Sequence, residues 1–103
     1  MEYTTNAPVG AAYLDEAQPG WAERIDLGKL DMTSSTRCIG GQLNGSFVRF
    51  VANATGHPGA IRMDGELIAW AIDRGFDSPE ENWGDSQRAL AAEWAELVRE
   101  RLG

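Results

Sequence analysis

The stretch CIGGQLNGSF, Cys38 to Phe47, holds three glycines, the chain's only cysteine and an Asn-Gly pair. Its reading decides the fold. As a β-hairpin, Asn44-Gly45 is a two-residue type I′ turn joining CIGGQL to SFVRFV, and Asn-Gly is the strongest short-range hairpin signal. The flanks argue against strands. Alternation sets Ile39, Gly41 and Leu43 on one face, and Phe47, Arg49 and Val51 against Ser46, Val48 and Phe50, so neither side is cleanly apolar. As a helix, the same residues sort well. Ile39, Leu43, Phe47, Phe50 and Ala54 recur at intervals of four, four, three and four and form one apolar stripe. Gly41, Gly45, Val48 and Ala52 form a second, mostly small stripe, the pattern that lets another backbone come close. Gln42, Ser46, Arg49 and Asn53 fall on a narrow polar strip. The period favours a helix from about Arg37 to Ala54, although each glycine costs about 1 kcal/mol against alanine.

Outward from this segment, the C-terminal third is clearly helical. Ser78-Pro79-Glu80-Glu81 reads as a capping box with proline at the first helical position. Trp83, Leu90, Trp94, Leu97 and Val98 follow at helical spacing, and Arg99 and Arg101 sit where cations complement the helix dipole. Before it, Leu67, Ile68, Ala71 and Ile72 mark another helix, with Gly75 as its stop. On the N-terminal side, PVGAAYLDEAQ suits a helix opened by Pro8 and closed by Pro19-Gly20. WAERIDLGKLDM reads as a short helix and an irregular connector, turning Trp21, Ile25, Leu27, Leu30 and Met32 inward. Residues 1–7 read as a loose arm. The expectation is one all-α domain, residues 8–103, a compact bundle of four or five helices around the central helix, whose apolar stripe meets Leu90, Trp94 and Leu97.

YLDEAQPGWAERIDLGKLDM, then RCIGGQLNGSF, then RGFD ahead of a tryptophan-bearing terminal helix, resembles a class of small uncharacterised proteins of actinobacterial phages and their hosts. The resemblance covers about Gly10 to Leu97. It is carried best by Pro19-Gly20-Trp21, Ile25-Asp26, Cys38, Gly41-Gln42-Leu43, Gly45 and Gly75-Phe76. It implies origin and a mainly helical fold, but no mechanism. At Gly40 it leads us to expect a larger apolar residue.

Composition narrows the function classes. The 103 residues suit one domain, and 43% apolar with 24% charged content is that of a globular chain. A net charge of −7 opposes general nucleic-acid binding. One cysteine forms no internal disulfide, and neither a signal peptide nor a membrane span is legible, so a cytoplasmic setting is expected, that of the host cell if a phage encodes it.

Candidate chemistry is sparse. Cys38 and His57 are single residues of their kinds without the paired spacing of zinc ligands, so no metal is expected. Cys38 reads more simply as a small buried residue than as a nucleophile with His57 as its base. The carboxylate pairs Asp15-Glu16 and Glu80-Glu81 read as solvated or capping charge rather than acid and base. GGQLNG lacks the lysine and hydroxyl residue of a P-loop. The expectation is a non-enzymatic protein with no catalytic residue and no cofactor.

Charge is unevenly spread. Met32 to Met63 holds Arg37, Arg49 and Arg62 and no acidic residue, so the net −7 less this segment's +3 leaves −10 elsewhere. Either a central helix packed on two sides has room for few charges, or Gln42, Ser46, Arg49 and Asn53 form a recognition face with Arg49 at its centre. Of the four tryptophans, Trp70 and Trp83 are the candidates for a partly exposed interface anchor. The leading expectation is a small acidic phage or prophage accessory protein that binds a host or phage protein. Two alternatives are an acidic decoy for a nucleic-acid-binding defence protein, and self-assembly, including a homodimer crossing at Gly41 and Gly45.

Overall fold

The chain turns at Gly45-Ser46, and the elements joined there are helices. In the computed structural model, which describes residues 6–56, 65–78 and 83–103, the central segment is α2 (Ile39–Asn44) followed by α3 (Phe47–Ala54). The predicted continuous helix from 37 to 54 is therefore corrected. Gly45 ends α2 at φ +95°, a left-handed backbone open to glycine, and its N–H donates to the Gly41 carbonyl. Ser46 then starts a new helix, its side chain accepting from Arg49 N at 3.1 Å. Cys38 performs the same service for α2, its Sγ accepting from Gly41 N at 3.2 Å.

The other elements are α1 (Ala7–Ala17), a 3-10 turn (Trp21–Arg24), α4 (Gly65–Asp73) and α5 (Trp83–Leu102). No strand occurs among the described residues, and the all-α expectation holds. The radius of gyration is 12.6 Å, in line with the ~13 Å of a folded chain of about 100 residues. Residues 1–5, His57, Arg62, Pro79 to Glu81 and the Trp83 side chain lie outside the described residues. Ala7, expected at the end of the arm, is fully buried as the first residue of α1. Ser78, expected as a helix cap, is buried with its hydroxyl unpartnered.

The end of α4 organises the core. Phe76 N donates to Ala71 O at 2.9 Å and Gly75 N to Ile72 O at 3.1 Å, with Gly75 at φ +73°, the paired bonds of a Schellman motif. This reversal folds Phe76 back into the interior. Its ring lies 4.7 Å from Phe50, 5.7 Å from Trp70 and 5.4 Å from Trp94, centroid to centroid. Trp94 in turn meets Trp21 edge-on at 5.6 Å and donates Nε1–H to Gly75 O. Helix α5 lies mainly against α1 and the 3-10 turn, and Phe76 links its Trp94 to Phe50 of α3. Ile39, Leu43 and Phe50 of the central stripe share one apolar core with Leu90 and Trp94 of α5, and Leu97 packs against it.

Close approaches explain the remaining glycines of the core. A Cβ on Gly10 would lie 2.9 Å from the Trp94 ring, and one on Gly40 would lie 2.7 Å from the Phe50 ring. A larger residue at Gly40 has no room, which is the opposite of what the resemblance leads one to expect.

Candidate functional site

The turn from Asp31 to Cys38 folds over the α2–α3 junction and forms one wall of a cleft. It is held by its own polar groups. Asp31 Oδ1 accepts from Thr33 N and Oγ1, Asp31 N donates to Arg37 O, and Cys38 N donates to Ser34 O. These bonds to Thr33, more than the nearby Arg37 guanidinium, hold the Asp31 carboxyl below the usual carboxylate range. The turn then crosses the helices closely. Phe47 N donates to Ser35 O at 2.7 Å, and a Cβ on Gly41 would strike the Ser35 and Thr36 backbone. Gly41 thus serves a close approach, as its small size predicts, but the approaching backbone is the chain's own turn. The helix-crossing role expected of Gly41 and Gly45 is corrected: Gly41 is covered and Gly45 is the break between helices.

The cleft beneath the turn has a volume of about 150 Å³ and is lined by Met32, Thr33 to Ser35, Cys38, Phe47, Phe76, Asp77 and Gln87. Its floor combines apolar and polar groups. Gln87 is 2% exposed, and its Nε2 donates to Asp77 Oδ1 at 2.9 Å, while its Oε1 has no hydrogen-bond partner. Asp77 Oδ1 also accepts from Ser78 N at 2.8 Å. Burial pushes the Cys38 thiol pKa up, and the Asp77 carboxylate adds to the rise; the N–H groups at the start of α2 oppose it without prevailing. Cys38 is therefore a poor nucleophile and a helix cap.

The predicted polar strip separates into different jobs. Gln42 clamps the connector: its Oε1 accepts from Asp26 N at 2.6 Å, and its Nε2 donates to Asp26 O and Arg37 O. Ser46 caps α3. Only Arg49 and Asn53, one turn apart on α3, remain exposed. Trp70 is half-buried, stacked on Phe76, edge-on to Tyr13 at 5.5 Å, and covered by the Arg74 guanidinium 4.6 Å from its centroid. Its ring is engaged within the core cluster.

The sequence reading passed over Asp77 and Gln87. A signal for Gln87 was present: it precedes Leu90, Trp94 and Val98 at intervals of three, four and four, so it occupies the buried stripe of α5. A polar residue at such a position points to a buried partner. Among the described residues, no group of three or more His, Cys, Asp or Glu is placed to hold a metal ion. No described helix is long and apolar enough to cross a membrane. No family model, curated protein or solved structure matches this chain.

Proposed function

We propose that this protein acts by binding another protein, without chemistry of its own, and that a side chain of the partner seats in the cleft beneath the Asp31–Cys38 turn. The carrying observation is the cleft's size. Its volume of about 150 Å³ is near that of an engineered cavity that takes up benzene. Small-molecule sites run to roughly 300–1,000 Å³. One side chain fits. The condition of Cys38 supports the non-enzymatic reading, since the cleft's one sulfur nucleophile is protonated and engaged by Gly41 N–H. On the resemblance, the partner is a phage or host protein.

The reading is tested by selecting binders from a random displayed-peptide library and measuring them against Ser35→Trp, which fills the cleft from an exposed position. Enriched peptides should lose at least tenfold in affinity on the filled variant, whose fold is checked by circular dichroism. No enrichment would overturn the reading. Equal binding by the filled variant would remove the cleft from it, and loss of binding with Arg49→Glu alone would move the interface to Arg49 and Asn53 of α3.

A further inference from the structure

We infer that the cleft is a receptor for a basic side chain, arginine or lysine, presented by the partner; this rests on the protein-binding reading above. The cleft holds unused hydrogen-bonding capacity. Among the lining residues, Asp77 carries the one charge. Its Oδ1 accepts from Ser78 N and Gln87 Nε2, whereas Oδ2 accepts nothing among the described residues. Gln87, 98% buried by its 2% exposure, has spent its amide on Asp77 and keeps Oε1 unpartnered. Of the other polar groups, Thr33 Oγ1 donates to Asp31, Ser34 Oγ accepts from Arg37 N and Cys38 Sγ accepts from Gly41 N, while the Ser35 hydroxyl belongs to an exposed residue of the turn.

At the Asp77–Gln87 pair, what remains is acceptor capacity. A hydroxyl or amide would meet it with only part of its own bonding, but an ammonium or guanidinium has donors alone and matches a carboxylate and a lone amide oxygen without leaving an acceptor unpaired. The apolar walls fit the same occupant. Met32, Phe47 and Phe76 line the cleft and offer apolar surface for the aliphatic stem. The chain's net charge of −7 favours approach by a basic segment.

The test is a titration of the ¹⁵N-labelled full chain with N-acetyl-arginine methylamide, N-acetyl-lysine methylamide and N-acetyl-norleucine methylamide, the last an uncharged chain of similar length. Either basic probe should shift the amides of Ser34, Ser35, Phe76 and Gln87 saturably, and norleucine should bind at least tenfold more weakly. Asp77→Asn keeps an Oδ1 acceptor for Ser78 N and Gln87 Nε2, so the fold is retained while binding of the basic probe should fall at least tenfold. Norleucine binding as tightly, or an unaltered affinity in Asp77→Asn, would overturn the inference. Should the basic probes shift nothing while library peptides still bind through the cleft, the inference fails and the protein-binding reading stands; if peptides fail as well, both fall.

Discussion

Asp15 ties three parts of the chain at one carboxylate. Its Oδ1 accepts from Trp21 Nε1 at 2.9 Å and from Arg101 Nε at 2.8 Å, and Oδ2 accepts from Arg101 Nη2 at 2.8 Å. The fork geometry of arginine gives a bidentate pair, and the same guanidinium lies 5.5 Å from the centroid of Trp21. The hydrogen bonds to Arg101, then that to Trp21, hold the Asp15 carboxyl down to about 2. A carboxylate whose pKa is lower in the folded state stabilises the fold above its unfolded value and loses that contribution as pH falls through the folded one. The window here runs from 3.8 down to about 2. Because the Asp15 side chain is 47% exposed, solvent screening limits the effect to about 1 kcal/mol or less. Thermal unfolding at pH 7 and at pH 2 should therefore show Asp15→Asn less stable than the parent at pH 7, with the gap closing at the acid end; a gap independent of pH would dismiss the charge as its origin.

At the scale of elements, the informative case is the break between α2 and α3. Ser46→Ala should cost about 1 kcal/mol, as loss of a serine N-cap does, while Ser46→Asp should preserve most of it. Denaturant unfolding of the two variants decides the matter, since equal losses would mean that the cap is not what starts α3. The same junction shows what the sequence disclosed. The apolar stripe correctly marked Ile39, Leu43 and Phe50 as buried, because a short helix and a long one share a period over a few turns. The Asn-Gly pair marks a helix end rather than a hairpin turn, since Asn44 closes α2 and Gly45 is its C-cap. The mistake lay in treating hairpin and continuous helix as the alternatives, when Gly at a helix end followed by Ser before an apolar run spells stop and start. The cleft was less legible. It is assembled from the 33–35 turn, the end of α4 and the buried stripe of α5. Gln42 and Ser46 looked free in a linear pattern because their partners, the Asp26 backbone and the Arg49 N–H, are choices of loop path and helix boundary.

For the whole molecule, Phe76 gathers four helices around one ring. Tyr13 of α1, Phe50 of α3, Trp70 of α4 and Trp94 of α5 all contact its ring, with Tyr13 the farthest at 6.3 Å. Its position depends on backbone as much as on hydrophobicity, since the Schellman turn at Gly75 aims it inward and α1 packs so near that Gly75 has no room for a Cβ beside Ala7. The ring also lines the cleft, so the core and the proposed binding surface share a wall. Truncation at Phe76→Ala should cost about 3–5 kcal/mol, a large part of the ~5–15 kcal/mol that holds a typical domain. Phe76→Leu keeps most of the volume and loses the ring contacts, whose worth beyond buried area is about 0.5–1.5 kcal/mol per aromatic pair. If the ring holds these four helices together, Phe76→Leu should unfold in a single transition at lower denaturant and weaken cleft-dependent peptides in the same variant. A Phe76→Leu protein with unchanged stability would show that Phe50 and Trp94 close the core without it.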